Sequence, residues 1–293
     1  MAALLLMASV LLDETRTIEV QGQTRRYVVH VPPQLEKAKA WPVVLAFHGA
    51  GLTPEWMVGF SGLNEKSDRE GFVVVYPAAL GPGQLAMTWN AGNCCGEAMT
   101  KNVDDVGYVR ALLDDLAKAA PIDPKRVFAT GMSNGALFCY RLASELSDRI
   151  AAIAPVAGPM GTKSCAPKRP VSVLHIHGSE DEFAPLAGGK GPKNVLGTDF
   201  FPVEHGIKAW VKANGCPGKP VVTAIPDKAG DGLTVTRTQY GPGKEGSEVV
   251  LYVVHGGGHT WPGRPGDGTL GKSTTNISAN DLLWDFFQKH PRK

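Results

Sequence analysis

The sharpest chemical signal in the chain is a serine framed by glycines. Gly131-Met132-Ser133-Asn134-Gly135 follows the apolar run 127–130 and precedes a helical stretch over 136–146. A nucleophile on a sharp strand-to-helix turn takes a strained backbone conformation, and glycines two positions either side let the chain pass closely. Such a turn pushes the Ser133 hydroxyl outward, with a helix N-terminus behind it that favours developing negative charge. A serine hydroxyl is a weak nucleophile at neutral pH. It needs a histidine within hydrogen-bond reach, itself oriented by a carboxylate.

In strand–turn–helix enzymes of this kind the chain order is serine, acid, histidine. Of the eight histidines, that order sets aside His30 and His48, and His175 and His177 follow if the acid lies in the loop just after them. His205 falls in a predicted helix and His290 in the tail. His259 follows the apolar run 249–254 through Gly256-Gly257-Gly258, whose lack of side chains lets an imidazole swing across a strand end. It is favoured over His255, which ends that strand. The acid belongs in a loop beyond a strand, and the run 171–176 leads into His177-Gly178-Ser179-Glu180-Asp181-Glu182. Three carboxylates compete there; Asp181 is the choice, with Glu180 and Glu182 as solvated neighbours.

Acyl transfer also needs backbone donors for an oxyanion. His48-Gly49-Ala50-Gly51 follows the run 43–47, so the N–H groups of Ala50 and Asn134 are assigned that task. Trp89 and Trp261 are candidates for a substrate pocket, since aromatic rings join apolar area to a polar edge. Core packing is the competing reading for both.

The elements that must position these residues are short apolar runs at 43–47, 72–76, 127–130, 153–156, 171–176 and 249–254, separated by glycine-bearing loops and helical stretches. Runs of this kind mark a mostly parallel sheet covered by helices on both faces, an α/β class. Residues 17–20 and 26–31 around Gln21-Gly22-Gln23 predict an antiparallel hairpin at one edge. Residues 104–119 carry Val106, Val109, Leu113 and Leu116 at helical spacing, and residues 278–289 carry Leu282, Leu283, Phe286 and Phe287. A helix is also expected over 203–213, and the Gly-, Lys- and Pro-rich stretch 183–202 before it reads as a loop over the site.

With 43% hydrophobic and 20% charged residues among 293, the chain has material for a sizeable core. Thirty Lys and Arg against 28 Asp and Glu leave no basic stripe for nucleic acid. Residues 1–12 are too short an apolar run to span a bilayer and are expected to be a signal-peptide remnant or an N-terminal apolar segment; residues 13–293 are expected to form one catalytic domain. None of the five cysteines shows metal-ligand spacing. Cys139 is expected in the core, and adjacent Cys94 and Cys95 are not expected to pair with each other.

Phe47-His48-Gly49-Ala50-Gly51, Cys94-Cys95-Gly96, Val103-Asp104-Asp105-Val106-Gly107, the Ser133 turn, His177-Gly178 with Asp181 and Pro185, and Gly257-Gly258-His259-Thr260-Trp261-Pro262-Gly263 stand in one order along the chain. In that order they resemble the polyhydroxybutyrate depolymerase and feruloyl esterase-like group, similar to carbohydrate esterase family 1. The resemblance runs from about Tyr27 to Trp284-Asp285-Phe286-Phe287. It implies the α/β-hydrolase fold, a triad of Ser133, Asp181 and His259, and a secreted or cell-envelope location. It also implies substrates that are esters of plant cell-wall phenolic acids or of hydroxyalkanoates. Relatives carry a cysteine near Tyr240 that would face Cys216, whereas Gly241-Pro242-Gly243 has none here.

The expected activity is therefore a serine carboxylic-ester hydrolase working through an acyl-enzyme on a small or oligomeric ester, with no metal, organic cofactor, nucleic acid or stable membrane span. An acyltransferase or peptidase with the same triad is the competing enzyme reading. A catalytically silent carbohydrate- or lipid-binding scaffold is the other alternative, disfavoured because a retired enzyme has no chemical reason to keep all three residues.

Overall fold

Antiparallel strands β1 (Glu14–Val20) and β2 (Gln23–His30) open the computed structural model, turning at Gln21 and Gly22, both at positive φ. The structure describes residues 14–83, 86–266 and 268–293, so the 1–12 segment lies outside the described residues. After β3 (Trp41–Phe47), helices α1 (Pro54–Ser61) and α2 (Leu63–Glu70) lead to β4 (Val73–Pro77). A short helix α3 (Gly96–Thr100) and the long α4 (Asp105–Ala119) precede β5 (Ile122–Met132), α5 (Asn134–Glu145), β6 (Ala152–Val156) and β7 (Ser172–Gly178). Helix α6 (Val203–Asn214), strands β8 (Val221–Ile225), β9 (Thr234–Tyr240) and β10 (Val249–His255), and helix α7 (Ala279–Lys289) complete the chain.

The strands form one sheet in the order β1-β2-β4-β3-β5-β6-β7-β10-β9-β8. Its centre, from β4 to β10, is parallel, and an antiparallel pair closes each edge. The expected mostly parallel sheet with helices on both faces is what the chain forms. Every residue of β3, β4, β6 and β7 is buried, which is why these segments read as continuous apolar runs. Alternate side chains serve two cores. Val43, Leu45 and Phe47 pack with Leu112 of α4, Phe138 of α5 and Trp210 of α6. Val44 and Ala46 point the other way, toward Met57 of α1, Leu63 of α2 and Phe287 of α7, whose ring stacks on Phe128 at 4.6 Å.

The sequence reading does not include strands β8 and β9: β8 is a short apolar run, VVTAI, exposed at four of five positions, and β9 is polar at every second residue or more. Helix α2 carries no apolar periodicity, since its sequence LNEKSDRE has one large apolar residue. Helix boundaries fall where caps place them. Asp104 caps α4, its Oδ1 accepting from Gly107 N at 2.8 Å, and Ser278 caps α7 through Asp281 N at 3.2 Å. Among the described residues no helix is long and apolar enough to cross a membrane.

The Asp104-Asp105 pair divides its labour. Asp104 is a surface cap, whereas Asp105 is wholly buried. Its Oδ1 meets the buried Arg25 Nη2 at 2.9 Å, its Oδ2 accepts from Asn90 N at 2.8 Å, and the Arg25 guanidinium lies 3.8 Å from the Tyr108 ring centre. Removing one partner of such a pair strands the other charge without water. Asp104→Ala should therefore cost about 1 kcal/mol, and Asp105→Ala on the order of 3–5 kcal/mol. Urea unfolding of both variants checks this, and equal losses would contradict it.

Candidate active site

Strand β5 delivers the chain to Ser133 at φ 56° and ψ −122°, and α5 begins at the next residue. Ser133 N–H donates to Val156 O of β6 at 3.0 Å, and Ser133 O accepts from the N–H groups of Ala136 and Leu137 at 2.8 and 3.0 Å. Gly135 is required by close approach: a Cβ there would collide with the carbonyl oxygens of Phe47 and His48, so the first turn of α5 lies directly on the end of β3.

The acid and histidine loops leave the same edge of the sheet from β7 and β10. Gly178 is likewise required by close approach, since a Cβ there would strike the carbonyl oxygens of Gly257 and Gly258. Ser179 N and Glu180 N donate to Val254 O and Gly257 O, both at 2.9 Å, and His259 N donates to Leu270 O at 2.7 Å. Between these loops Asp181 and His259 meet, with Nδ1 to Oδ2 at 2.7 Å, and both residues are buried. The other carboxylate oxygen accepts from Phe183 N at 2.9 Å and Ala184 N at 2.8 Å. Burial works against the Asp181 charge. The hydrogen bond and charge of His259, the nearby His177 and the Ala184 N–H outweigh it, holding the carboxyl below its ordinary range. An ionised carboxylate only accepts, so Nδ1 of His259 carries a proton and Nε2 presents its lone pair. Nε2 has no partner among the described residues.

His259 and Ser133 line one cavity of about 310 Å³ together with Ala50, Leu52, Trp56 and Phe183. The structure thus brings Ser133, Asp181 and His259 into one place. Glu180 and Glu182 are exposed, and Glu182 pairs with Lys193 at 2.6 Å. His255 is also exposed and bonds Thr236 Oγ1 across the β9–β10 ladder at 2.7 Å. The N–H groups of Ala50 and Asn134 have no acceptor among the described residues.

Behind that pair of donors lies His48. Its Nε2 accepts from Ala79 N–H at 3.2 Å, its Nδ1 donates to Gly49 O at 2.8 Å, and its carbonyl accepts from Trp89 Nε1 at 3.0 Å. Burial holds the imidazole neutral against the pull of the Gly49 carbonyl, lowering its pKa from 6.5 to about 4. Trp89 is a correction to the sequence reading. It is fully buried, lies flat on Phe138 at 5.0 Å and meets Phe47 edge-on at 5.1 Å. Its backbone N donates to Asn134 Oδ1 at 2.7 Å, and Asn134 Nδ2 donates back to Trp89 O at 3.1 Å. The indole therefore fills the core beneath the site and does not line a pocket. Trp261 is displaced from its expected place in the same way, buried with Nε1 on Asn280 Oδ1 at 2.9 Å. The aromatic lining comes from Trp56 and Phe183 instead.

A buried polar chain that the sequence reading passed over ends at the acid. Tyr140 OH lies 2.8 Å from His175 Nδ1, His175 Nε2 lies 3.0 Å from His177 Nδ1, and His177 Nε2 lies 2.7 Å from Ala184 O. A carbonyl only accepts, so His177 carries its proton on Nε2, which obliges His175 to donate from Nε2 and Tyr140 to donate from its hydroxyl. Burial keeps both imidazoles neutral, His175 most strongly, and holds the Tyr140 phenol well above its ordinary value. The available signal was two histidines at i and i+2 of an apolar strand, which share a face.

A second cavity, about 470 Å³, also reaches Ser133 and is lined by Asn134, Cys94, Cys95, Leu196 and Phe200 among others. Cys94 and Cys95 are bonded to each other, which corrects the expectation that neighbours would not pair. The pair forms a disulfide between sequence neighbours. Cys139 is buried and free, and Cys165 and Cys216 are free as well. Among the described residues no group of three or more His, Cys, Asp or Glu side chains is arranged to hold a metal ion.

A model of the dienelactone hydrolase family matches residues 29–196. NocK of Nocardia uniformis subsp. tsuyamanensis, whose name assigns it provisionally to the esterases, is 32% identical over 291 residues, covering 92% of this chain and 81% of that one. Feruloyl esterase B of Piromyces equi is 29% identical over 273 residues, covering 90% of this chain and 45% of its own length, so the chain spans less than half of that protein. Among solved structures, an acetyl xylan esterase from Aspergillus awamori shares the fold with a TM-score of 0.61 at 17% identity, over 94% of this chain and 99% of that one.

The neutral histidines carry a consequence for stability. The unfolded chain protonates His48 near pH 6.5, and the folded chain does so only near pH 4. Stability is therefore lost as pH falls through that window, by about 3 kcal/mol from His48 alone. His175 and His177 act in the same direction. Urea midpoints measured from pH 7.5 down to 4 should fall steadily, and a flat profile would contradict the buried neutral state.

Proposed function

The chain belongs to the dienelactone hydrolase family and is a carboxylic-ester hydrolase, and we propose that Ser133 is its nucleophile, His259 its general base and Asp181 the acid that orients the base. The observation that carries this reading is the 2.7 Å Asp181–His259 bond at a cavity shared with a serine in a strained turn. Nε2 of His259 takes the Ser133 proton as Oγ attacks the acyl carbon, and the Ala50 and Asn134 N–H groups receive the negative oxygen. The imidazolium, stabilised by Asp181, then returns the proton to the departing alkoxide. Water repeats the sequence on the acyl-enzyme and releases the acid.

We assign as substrates feruloyl or acetyl esters of plant cell-wall polysaccharide or hydroxyalkanoate oligomers, on the strength of the motif order and the named feruloyl esterase relative. The same reading places the enzyme outside the cytoplasm, where a Cys94–Cys95 disulfide persists. It treats residues 13–293 as one catalytic domain, supported by a single sheet running through β1 to β10.

Removing the nucleophile of such a triad costs about a millionfold in kcat, and an isosteric amide in place of the acid costs about ten-thousandfold. Ser133→Ala and Asp181→Asn should show losses of those sizes on p-nitrophenyl acetate and methyl ferulate, with unchanged circular dichroism. A Ser133→Ala enzyme close to full activity would remove the mechanism. A parent enzyme that makes mixed esters from added alcohol faster than free acid would redirect it to acyl transfer.

A further inference from the structure

The parallel strands that lead to the triad also have an opposite end, and a cavity of about 410 Å³ lies there. Ala151 stands just before β6, Ser172 opens β7 and Ser247 stands two residues before β10, and all three line it. Ser133, Asp181 and His259 follow the far ends of β5, β7 and β10. At about 3.3 Å per residue, a seven-residue strand such as β7 puts roughly 20 Å between the two places. The cavity shares no lining residue with those at Ser133.

Its charge is one-sided. Lys125, Arg169, Lys289, Arg292 and Lys293 line it, against Glu245 as the one lining carboxylate among the described residues. Five cationic side chains against one carboxylate leave a surplus of four positive charges here, whereas the surplus of the whole chain is two. Glu245 is engaged by Arg169 Nη2 at 3.2 Å, and the neighbouring Glu248 accepts from Gln239 Nε2 at 2.8 Å. Arg169 Nη1, Arg292 Nε and the Oγ of buried Ser247 are shielded from bulk water and have no hydrogen-bond partner among the described residues. His290 Nε2 makes no hydrogen bond either, with Glu248 Oε2 at 3.4 Å. Buried polar atoms are almost always paired, so three donors at one cavity make it rich in donors and short of acceptors.

From this geometry we propose that the cavity is a second binding site, for a phosphate group carried as free phosphate or as the monoester of a small organic molecule. The donors come from three segments: Arg169 from the loop before β7, Ser247 from the loop before β10 and Arg292 from the stretch after α7. A tetrahedral, nearly doubly charged oxyanion can accept from three directions at once. A planar carboxylate is matched instead by one free guanidinium fork. Each guanidinium here has a nitrogen already bonded, Arg169 Nη2 to Glu245 and Arg292 Nη2 to Pro124 O at 3.3 Å. The frame is tied down, since Arg292 N–H donates to Lys125 O at 2.8 Å and Ser247 N–H to Lys244 O at 3.0 Å. Lys125, Lys289 and Lys293 are exposed around it and draw an anion in. A cavity of about 410 Å³ lies in the roughly 300–1,000 Å³ range of sites that enclose a whole small molecule, so it has room for the organic part of a monoester.

Titration calorimetry of the full chain with inorganic phosphate, glycerol 3-phosphate and acetate, at one ionic strength held with chloride, tests the site. Both phosphates should bind saturably, one per chain, and acetate at least about tenfold more weakly. A monoester that binds more tightly than inorganic phosphate identifies an organic phosphate as the ligand; the opposite order identifies free phosphate. Arg169→Gln and Arg292→Gln should each weaken phosphate binding about tenfold or more, as loss of a hydrogen bond from a charged donor does. Lys293→Gln, at an exposed position where folding is not at stake, should weaken it about twofold. All three should keep the parent's kcat on p-nitrophenyl acetate, and Ser133→Ala should bind phosphate as the parent does, so the site stands or falls apart from the triad. A folded parent that shows no saturable phosphate binding, acetate that binds as tightly, or arginine variants of parental affinity would overturn the proposal.

Discussion

Ser133 is held at φ 56° and ψ −122°, a backbone region that costs a residue with a side chain on the order of 1–3 kcal/mol, and the structure around it is built to keep it there. Three neighbours share the task. Strand β6 accepts its N–H through Val156, helix α5 hangs its first turn on its carbonyl, and β3 lies so close that only glycine fits at position 135. The strain is tolerable because each restraint belongs to a different buried element. Local relaxation of the turn would have to break the β5–β6 ladder, unwind α5 or part α5 from β3.

The same packing brings the other loops into register. β3, β5, β7 and β10 run parallel, so the loops bearing Ala50, Ser133, Asp181 and His259 all leave one edge of the sheet. Beneath them, one polar network crosses the core from residue to residue: Arg25 to Asp105, Asp105 to Asn90, Trp89 to Asn134 and to His48. Each of these residues is buried, and Arg25 Nε alone among the network's named groups is left without a hydrogen-bond partner among the described residues. The Asp-Asp pair of the sequence thus has a structural meaning far from its own helix, because Asp105 anchors the segment that clamps Asn134.

How much of this was legible in the chain depended on whether a residue's role is set by its neighbours in sequence or in space. The Ser133 turn, the glycine run before His259 and the buried strands are local patterns, and each is found where the pattern placed it. The meeting of Asp181 with His259 was readable only as a consequence of strand order, and the choice among three carboxylates needed the turn that aims Asp181 inward and leaves Glu180 and Glu182 in water. Trp89 and Trp261 show the opposite case. An indole suits a pocket or a core equally well by composition, and what decides is that Phe47, Phe138 and His48 enclose Trp89 from three other segments. Strand β9 carries no apolar run, and β8, Val221-Val222-Thr223-Ala224-Ile225, is an apolar run that lies exposed at the sheet's far edge.

The buried histidines matter for a reason that only the directions of their hydrogen bonds reveal. Oδ2 of Asp181 has two imidazoles near it, His259 Nδ1 at 2.7 Å and His177 Nε2 at 3.4 Å. If both donated to it equally, the oxygen would be shared and the His259 ring less firmly oriented. Ala184 O, at 2.7 Å, draws the His177 proton away and fixes its tautomer, to which His175 and Tyr140 conform. Ala184 is also the residue whose N–H holds Oδ1 of Asp181, so one short turn fixes the carboxylate and diverts its competitor together. A charged His177 would still donate from Nε2, but it would place a proton on Nδ1 against the donor of His175, and burial disfavours that charge in any case. The acceptor strength of Oδ2 is therefore directed at His259, the ring whose other nitrogen shares a cavity with Ser133.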